Sequence, residues 1–208
     1  MSAATGKRER TKAANREAIL AAARRVFSDL GYGAASVRDI VRETDLATGT
    51  FYNYFPDKES VLRALVDEIT VEARARVRAA RMAASTLETF VSGGFRAYFE
   101  FLAEDPATVA LMRRNSGTIR TMFDEPALGA GIAELRADLE TFVGAGRIPR
   151  HDAELMAAAM VGAGVEIGLR MVEREPPDVE RAVAFVTDVF LGAFERIGQP
   201  RRPQLGHG

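Results

Sequence analysis

The stretch Ser36-Val-Arg-Asp-Ile-Val-Arg-Glu-Thr-Asp-Leu-Ala-Thr-Gly-Thr-Phe-Tyr-Asn-Tyr-Phe55 decides how this chain is read. Its first four residues have the form of a capping box, in which serine and aspartate satisfy each other's backbone amides and open a helix. Val37, Ile40 and Val41 fall on one side of that helix. Thr44-Asp45-Leu46-Ala47 makes a tight turn, and a second short helix is predicted over 48–55, stopped by Pro56-Asp57. Phe51 and Phe55 lie four apart, so they share a face and can anchor it to a core. Thr50, Tyr52, Asn53 and Tyr54 remain for the other faces.

Two short helices joined this way form a helix-turn-helix, which presents its second helix to the major groove of DNA. Hydroxyls and an amide suit phosphates and base edges, and Gly49 lets backbone approach a surface closely. Lys58 stands where its charge opposes a helix dipole, a placement that makes sense beside a bound phosphate. Plain packing fits the same residues: helical hairpins are common, the tyrosines can pad a core and Lys58 can sit in solvent.

Working outward, Ile19, Ala22, Ala23, Val26, Phe27 and Leu30 form one face of a long first helix that Gly31 and Gly33 end. Asp57 caps a long fourth helix to about Ala84. Ser85-Thr86-Leu87-Glu88 reads as a second capping box, and Asp105-Pro106 and Glu125-Pro126 each pair an N-cap with proline at the first helical position. A break at 144–149 precedes a helix over 152–173, and Pro176-Pro177-Asp178 resets the chain for a last helix to about Ile197. About nine helices with short links and no strand alternation predict an all-α fold. The expected domains are an N-terminal three-helix unit at 1–60, a C-terminal helical ligand-binding and dimerisation domain at 61–199, and a disordered tail at 200–208.

The composition, 47% apolar and 27% charged over 208 residues, is that of a soluble globular protein. The absence of cysteine excludes disulfides and thiolate metal sites and agrees with a cytoplasmic location. His151 and His207 are the only imidazoles, and no nucleophile–base pair or strand-borne phosphate loop accompanies them. No enzymatic activity, metal or cofactor is therefore expected. Gly162-Ala-Gly-Val-Glu-Ile-Gly168 has dinucleotide-loop glycines but sits within a predicted helix with no preceding strand. The N-terminus has no apolar signal core, and the longest apolar run, 155–165, is half the ~20 residues a bilayer needs, so no membrane partner is expected. Net charge is −1 overall, yet the first 25 residues carry seven cations against Glu9 and Glu17, a net of +5. A basic head on a mildly acidic body suits contact with phosphate at one end. Residues 1–12, with Lys7, Arg8, Arg10 and Lys12, are expected to form a basic flexible arm able to reach the adjacent minor groove.

Residues 16–62 resemble the N-terminal domain of TetR-type regulators through Ile19, Ala22, Phe27, Gly31-Tyr32, Ser36-Val37, Ile40, Leu46, Gly49-Thr-Phe-Tyr-Asn-Tyr-Phe55 and Lys58-Glu59. The resemblance implies a homodimeric transcriptional repressor released from a palindromic double-stranded DNA operator by a small-molecule effector. It implies base contacts from Arg38, Thr48, Gly49, Thr50 and Asn53, and phosphate contacts from Ser36, Tyr52, Tyr54 and Lys58. Three departures bear on the operator sequence. Asp45 stands where the family often has glycine, and is expected to tolerate a left-handed turn. Ala47 replaces a frequent serine N-cap, so Thr48 is expected to cap one residue later. Thr48 also replaces a common lysine or arginine.

In the resembled family the last two helices form a four-helix dimer interface. Here the last helix carries an apolar seam from Val179 to Ile197, and the one before it is rich in small residues that permit close approach. Ala158, Gly162, Val165, Val186, Val189, Phe190 and Phe194 are the expected interface; an intrachain core is the alternative. Phe95, Tyr98, Phe99, Met112, Asn115, Ile119, Phe123, Phe142 and Met160 are the expected lining of an apolar cavity for a hydrophobic, acyl-chain-like effector, or else ordinary core. An inward-facing Arg96, Arg113 or Arg114 would meet a ligand carboxylate or phosphate, and Glu166 would pair a cation or cross the dimer seam. Solvated positions are the alternative for each.

Overall fold

In the computed structural model the backbone is described for residues 2–121 and 126–198, and side chains for 6–121 and 129–198. Phe123, Glu125 and the 200–208 tail with His207 lie outside the described residues. The elements are α1 (Ser2–Asp29), α2 (Val37–Arg42), α3 (Thr48–Tyr52), α4 (Lys58–Met82), α5 (Leu87–Glu104), α6 (Pro106–Arg114), α7 (Ser116–Thr121), α8 (Pro126–Gly144), α9 (Ala153–Met171) and α10 (Val179–Gly198). Among the described residues the fold is all-α, with one helix more than expected. The extra boundary falls at Asn115, which caps α6 while its carbonyl accepts from Ile119 to start α7. A polar residue tied elsewhere by its side chain leaves no periodicity signal. No helix among the described residues is long and apolar enough to cross a membrane.

Helix starts follow the sequence closely. Ser36 and Asp39 make the reciprocal capping box; Asp57 accepts from the Ser60 amide at 2.7 Å, and Asp105 and Asp152 each accept from two amides of the following turn. The second box is shifted by one residue: Thr86 and Thr89 serve each other's amides at 3.0 and 3.1 Å, in place of Ser85 and Glu88. A threonine hydroxyl can close the same ring as a longer carboxylate. The expected flexible arm is instead helix, since α1 runs from Ser2. Alanine, arginine, lysine and glutamate dominate 7–25 and carry a helix outward from its buried end.

The chain forms two compact units, the first comprising 1–72 and 105–128, the second 73–104 and 129–208. The first thus runs past the expected boundary at residue 60 and takes in α6 and α7. Its buried residues include Ile19, Ala23 and Phe27 of α1, Ile40, Phe51, Phe55 and Leu62, and α6 packs on α1. Leu30 is exposed because α1 ends at Asp29 and the chain turns at Gly31, whose φ is +80°. A side chain there would be strained and would come within 3.4 Å of Arg114 Cγ.

In the second unit α5 packs against both α9 and α10 around Phe95, Phe99, Leu139, Met160 and Val183. A Cβ built at Gly168 would meet Leu102 Cδ1 at 2.6 Å, so α9 has glycine where α5 crosses it. Val186, Phe190 and Phe194 belong to this intrachain core, at 0%, 6% and 2% exposure, and leave the expected interface. The apolar stripe of α10 is wide enough for two faces, and periodicity does not say which is covered by the chain itself. The other face exposes Phe185 and Val189, while α9 exposes Leu155, Ala158 and Gly162 and half-buries Val165.

Candidate nucleic-acid interface

The helix-turn-helix is built from the inside out. Ile40 and Phe51 are fully buried, and Phe55 nearly so, which fixes the inner faces of α2 and α3. Thr44 makes the turn: its hydroxyl donates to the Val41 carbonyl at 2.8 Å and accepts from the Leu46 amide at 3.2 Å. Asp45 therefore needs no left-handed backbone, and among the described residues only glycines have positive φ. Ala47 is the N-cap of α3 and has no side-chain cap bond; Thr48 is the first helical residue and does not take over capping.

Burial of the inner faces turns the other side chains outward. Arg38, Thr48, Gly49, Tyr52 and Asn53 are exposed, and Thr50 and Tyr54 are partly buried. Nothing lies within 4 Å of a Cβ built at Gly49, so the space before it is open and internal packing does not require the glycine. The edge of Tyr52 meets Phe51 at 5.3 Å between centroids. The Tyr54 hydroxyl accepts from Asn15 Nδ2 at 3.2 Å and keeps its own proton to donate.

Two expected phosphate ligands have intrachain partners. The Ser36 hydroxyl donates to Asp39 at 2.5 Å, and hydrogen bonds from the Ser36 side chain and amide hold the Asp39 carboxyl below its ordinary range. Lys58 Nζ donates to the carbonyls of Tyr32 and Ala35 at 2.7 and 2.8 Å and lies 4.4 Å from the centre of the Tyr32 ring. It pins the α1–α2 loop to the start of α4.

A second tie to that loop was absent from the sequence reading. Asn115 is buried in the first unit, where its amide donates to the carbonyls of Phe27 (3.1 Å) and Leu111 (2.7 Å), and its oxygen accepts from the Tyr32 amide at 2.6 Å. Its polar atoms are engaged there, which fits a structural tie and not a cavity lining. Arg24 adds bonds to Asp105 and Thr108 at 3.0 and 2.7 Å. Burial works to raise the Asp105 carboxyl, but the Thr108 hydroxyl and amide, with Arg24 and the Ala107 amide, hold it below its ordinary range. The only sequence signal for Asn115 is a polar residue interrupting an apolar stripe.

The first turns of α1 and the end of α3 enclose an open concavity of about 820 Å³, lined by Lys7, Arg8, Glu9, Thr11, Lys12, Asn53 and Tyr54.

The remaining expected effector residues fall in both units. Phe95, Tyr98, Phe99, Phe142 and Met160 are in the second, Met112 and Ile119 in the first. Phe95 stacks on Phe190 at 5.6 Å and tilts against Phe99 at 5.9 Å, while Phe142 meets Phe90 at 4.9 Å. Tyr98 keeps partial exposure along its side chain, yet burial pushes its hydroxyl up to about 12. Arg96 is paired with Glu180, Glu166 with Arg170 at 2.8 Å, and Arg114 lies against Gly31.

Residues 19–65 match the sequence model of the family described as "Bacterial regulatory proteins, tetR family". The fold resembles the fatty acid degradation regulator FadR of Bacillus halodurans, with a TM-score of 0.74 and 24% identity over 85% of this chain and 94% of that one. FadR of Bacillus subtilis, solved in complex with stearoyl-CoA, gives a TM-score of 0.71 and 23% identity over 88% and 99%. The TetR-family regulator ECA1819 of Pectobacterium atrosepticum gives 0.66 and 23% over 90% and 96%. These likenesses concern the fold, and the family model concerns the helix-turn-helix whose geometry is described above. Taken together, residues 19–65 have the sequence and the geometry of a tetR-family helix-turn-helix, within a chain that shares its fold with these regulators.

Proposed function

We propose that this protein is a dimeric repressor that binds a palindromic operator through α3 and leaves it when a small apolar molecule binds the second unit. The observation that carries the reading is the sorting of α2 and α3: buried Ile40 and Phe51 on one side, exposed Arg38, Thr48, Gly49, Tyr52 and Asn53 on the other. In this reading Arg38, Thr48, Gly49, Thr50 and Asn53 contact bases, Tyr52 and Tyr54 contact phosphates, and Lys58 and Ser36 mainly hold the loop and helix that present them.

A second copy of the chain covers the outer face of α9 and α10. Phe185 at 58% exposure, Val189 at 48% and Leu155 at 67% support this, as do Gly162 and Gly192, before which the space is open. Two recognition helices then sit roughly 34–36 Å apart, one turn of DNA. The effector acts by favouring a conformer with another spacing, carried by α4, whose residues belong to both units. The aromatic cluster of the second unit supports an apolar ligand, and the Bacillus subtilis regulator solved with stearoyl-CoA suggests an acyl-CoA thioester as first probe.

The test is selection of genomic fragments by purified protein at fixed salt, beside Tyr52→Ala. A palindrome enriched by the wild type and lost in the variant is expected, followed by release on adding long-chain acyl-CoA. No enriched sequence at low salt would sink the reading, and an enriched palindrome unmoved by acyl-CoA or free fatty acid would sink the effector assignment. Arg38→Ala is expected to relax preference at one position in each half-site, by about 1–3 kcal/mol of discrimination. An unchanged preference would remove Arg38 from base readout.

A further inference from the structure

We propose that the helical N-terminal extension of α1 is a second DNA-binding element, which holds the phosphate backbone flanking the site read by α3. This rests on the function proposed above.

Positions 7, 8, 11, 12 and 15 share one face of α1 because the helix repeats every 3.6 residues. Asn15 on that face donates to the Tyr54 hydroxyl, which turns the face toward the end of α3. Lys7, Arg8, Thr11 and Lys12 therefore form one wall of the concavity whose other wall is Asn53 and Tyr54. Glu9 also borders it. The neighbouring cations are used within the chain: Arg10 donates to the Gly6 carbonyl at 3.1 Å and Arg16 pairs with Glu68 at 2.9 Å. Among the described residues Lys7, Arg8 and Lys12 make no ion pair. Three unpaired cations along one open groove repel one another, and a polyanion relieves that repulsion.

The geometry selects the part of DNA that is met. From Lys12 to Lys7 the helix advances ~7.5 Å, at 1.5 Å per residue. A DNA strand presents a phosphate every ~3.4 Å along its axis, so three cations over this length face about three phosphates. A helix with side chains is about 10 Å across, too wide for a minor groove of about 6 Å. The extension thus lies along the backbone and does not thread the minor groove as a flexible arm would.

The test uses the full chain and a 30-bp duplex of random sequence, with affinity measured by fluorescence anisotropy between 50 and 200 mM KCl. K7A/R8A/K12A keeps good helix formers at all three sites, and circular dichroism checks that it does. The slope of log affinity against log salt is expected to become shallower by about 2–3 for each protomer that touches the duplex, so for each protomer the weakening across this range shrinks roughly 40-fold. K7R/R8K/K12R is expected to keep the wild-type slope. If the wild type binds and the alanine variant keeps its slope, the extension does not hold DNA. If the wild type binds no duplex at 50 mM KCl, the DNA-binding reading falls with it.

Discussion

Replacing Asn115 with leucine keeps the volume of the side chain and removes one accepted and two donated hydrogen bonds from a buried site. The Tyr32 amide and the Phe27 carbonyl lose this partner, at a cost of about 2–4 kcal/mol for two buried groups. Urea unfolding of Asn115→Leu measures it, and an unchanged midpoint would mean that the tie is not formed in solution. Lys58 makes the companion case. Lys58→Met retains the aliphatic stem and removes the ammonium from two carbonyls and the face of Tyr32, so about 1–3 kcal/mol of stability is expected to go. Its salt slope for DNA is expected to stay close to wild type, since a lysine occupied inside the chain releases few counterions; a slope shallower by one would restore it to the phosphate contacts. Both residues show the limit of reading side chains from sequence. That Asn115 interrupts an apolar stripe is visible; that its partners lie 83 to 88 positions away is not.

At the scale of elements, caps were the most legible feature, because a cap is a local chemical event over four residues. Ser36/Asp39, Asp57 and Asp105 cap where the sequence put them. At 85–89 the box closes one residue later than the sequence put it, because the Thr89 hydroxyl reaches the Thr86 amide in place of a carboxylate. In the first unit three of these carboxyls, Asp39, Asp57 and Asp105, are held below their ordinary range by the bonds they accept. A lowered folded value means that the stability they lend is present above pH ~4 and is lost as pH falls through the folded values. Acid is therefore expected to destabilise the first unit below pH 4, and Asp39→Asn to flatten that dependence when urea midpoints are measured from pH 2 to 5. Tyr98 predicts the opposite limb. Its raised value means stability that is complete below pH ~10 and is lost as pH rises toward about 12. Tyr98→Phe is expected to remove that alkaline loss, seen as a flat midpoint from pH 9 to 12. The faces of α10 were the least legible element, since a helix apolar on two sides gives no order of preference between chain and partner.

At the scale of the molecule, the all-helical class was readable from the caps and apolar stripes along the whole chain and the helix-turn-helix from one twenty-residue stretch, whereas the proposed dimer face emerges only once the chain's own core is subtracted. That subtraction leaves Phe185, which lies off the stripe containing Val186 and Phe190. Phe185→Glu places a charge in the proposed dimer face without touching the core. A monomer by sedimentation, with retained helicity and at least tenfold weaker binding to a palindrome, is expected; an intact dimer would move the interface elsewhere. The composition of the first unit has a consequence for engineering. Because α6 and α7 belong to it together with α1–α3, the head is not a cassette that ends at a single junction. A hybrid regulator grafted at residue 60 would keep the reading helix but lose Asn115 from the Tyr32 amide and Asp105 from Arg24. A transplant that keeps the first unit whole has to carry two separate stretches of the gene, the second encoding 105–121.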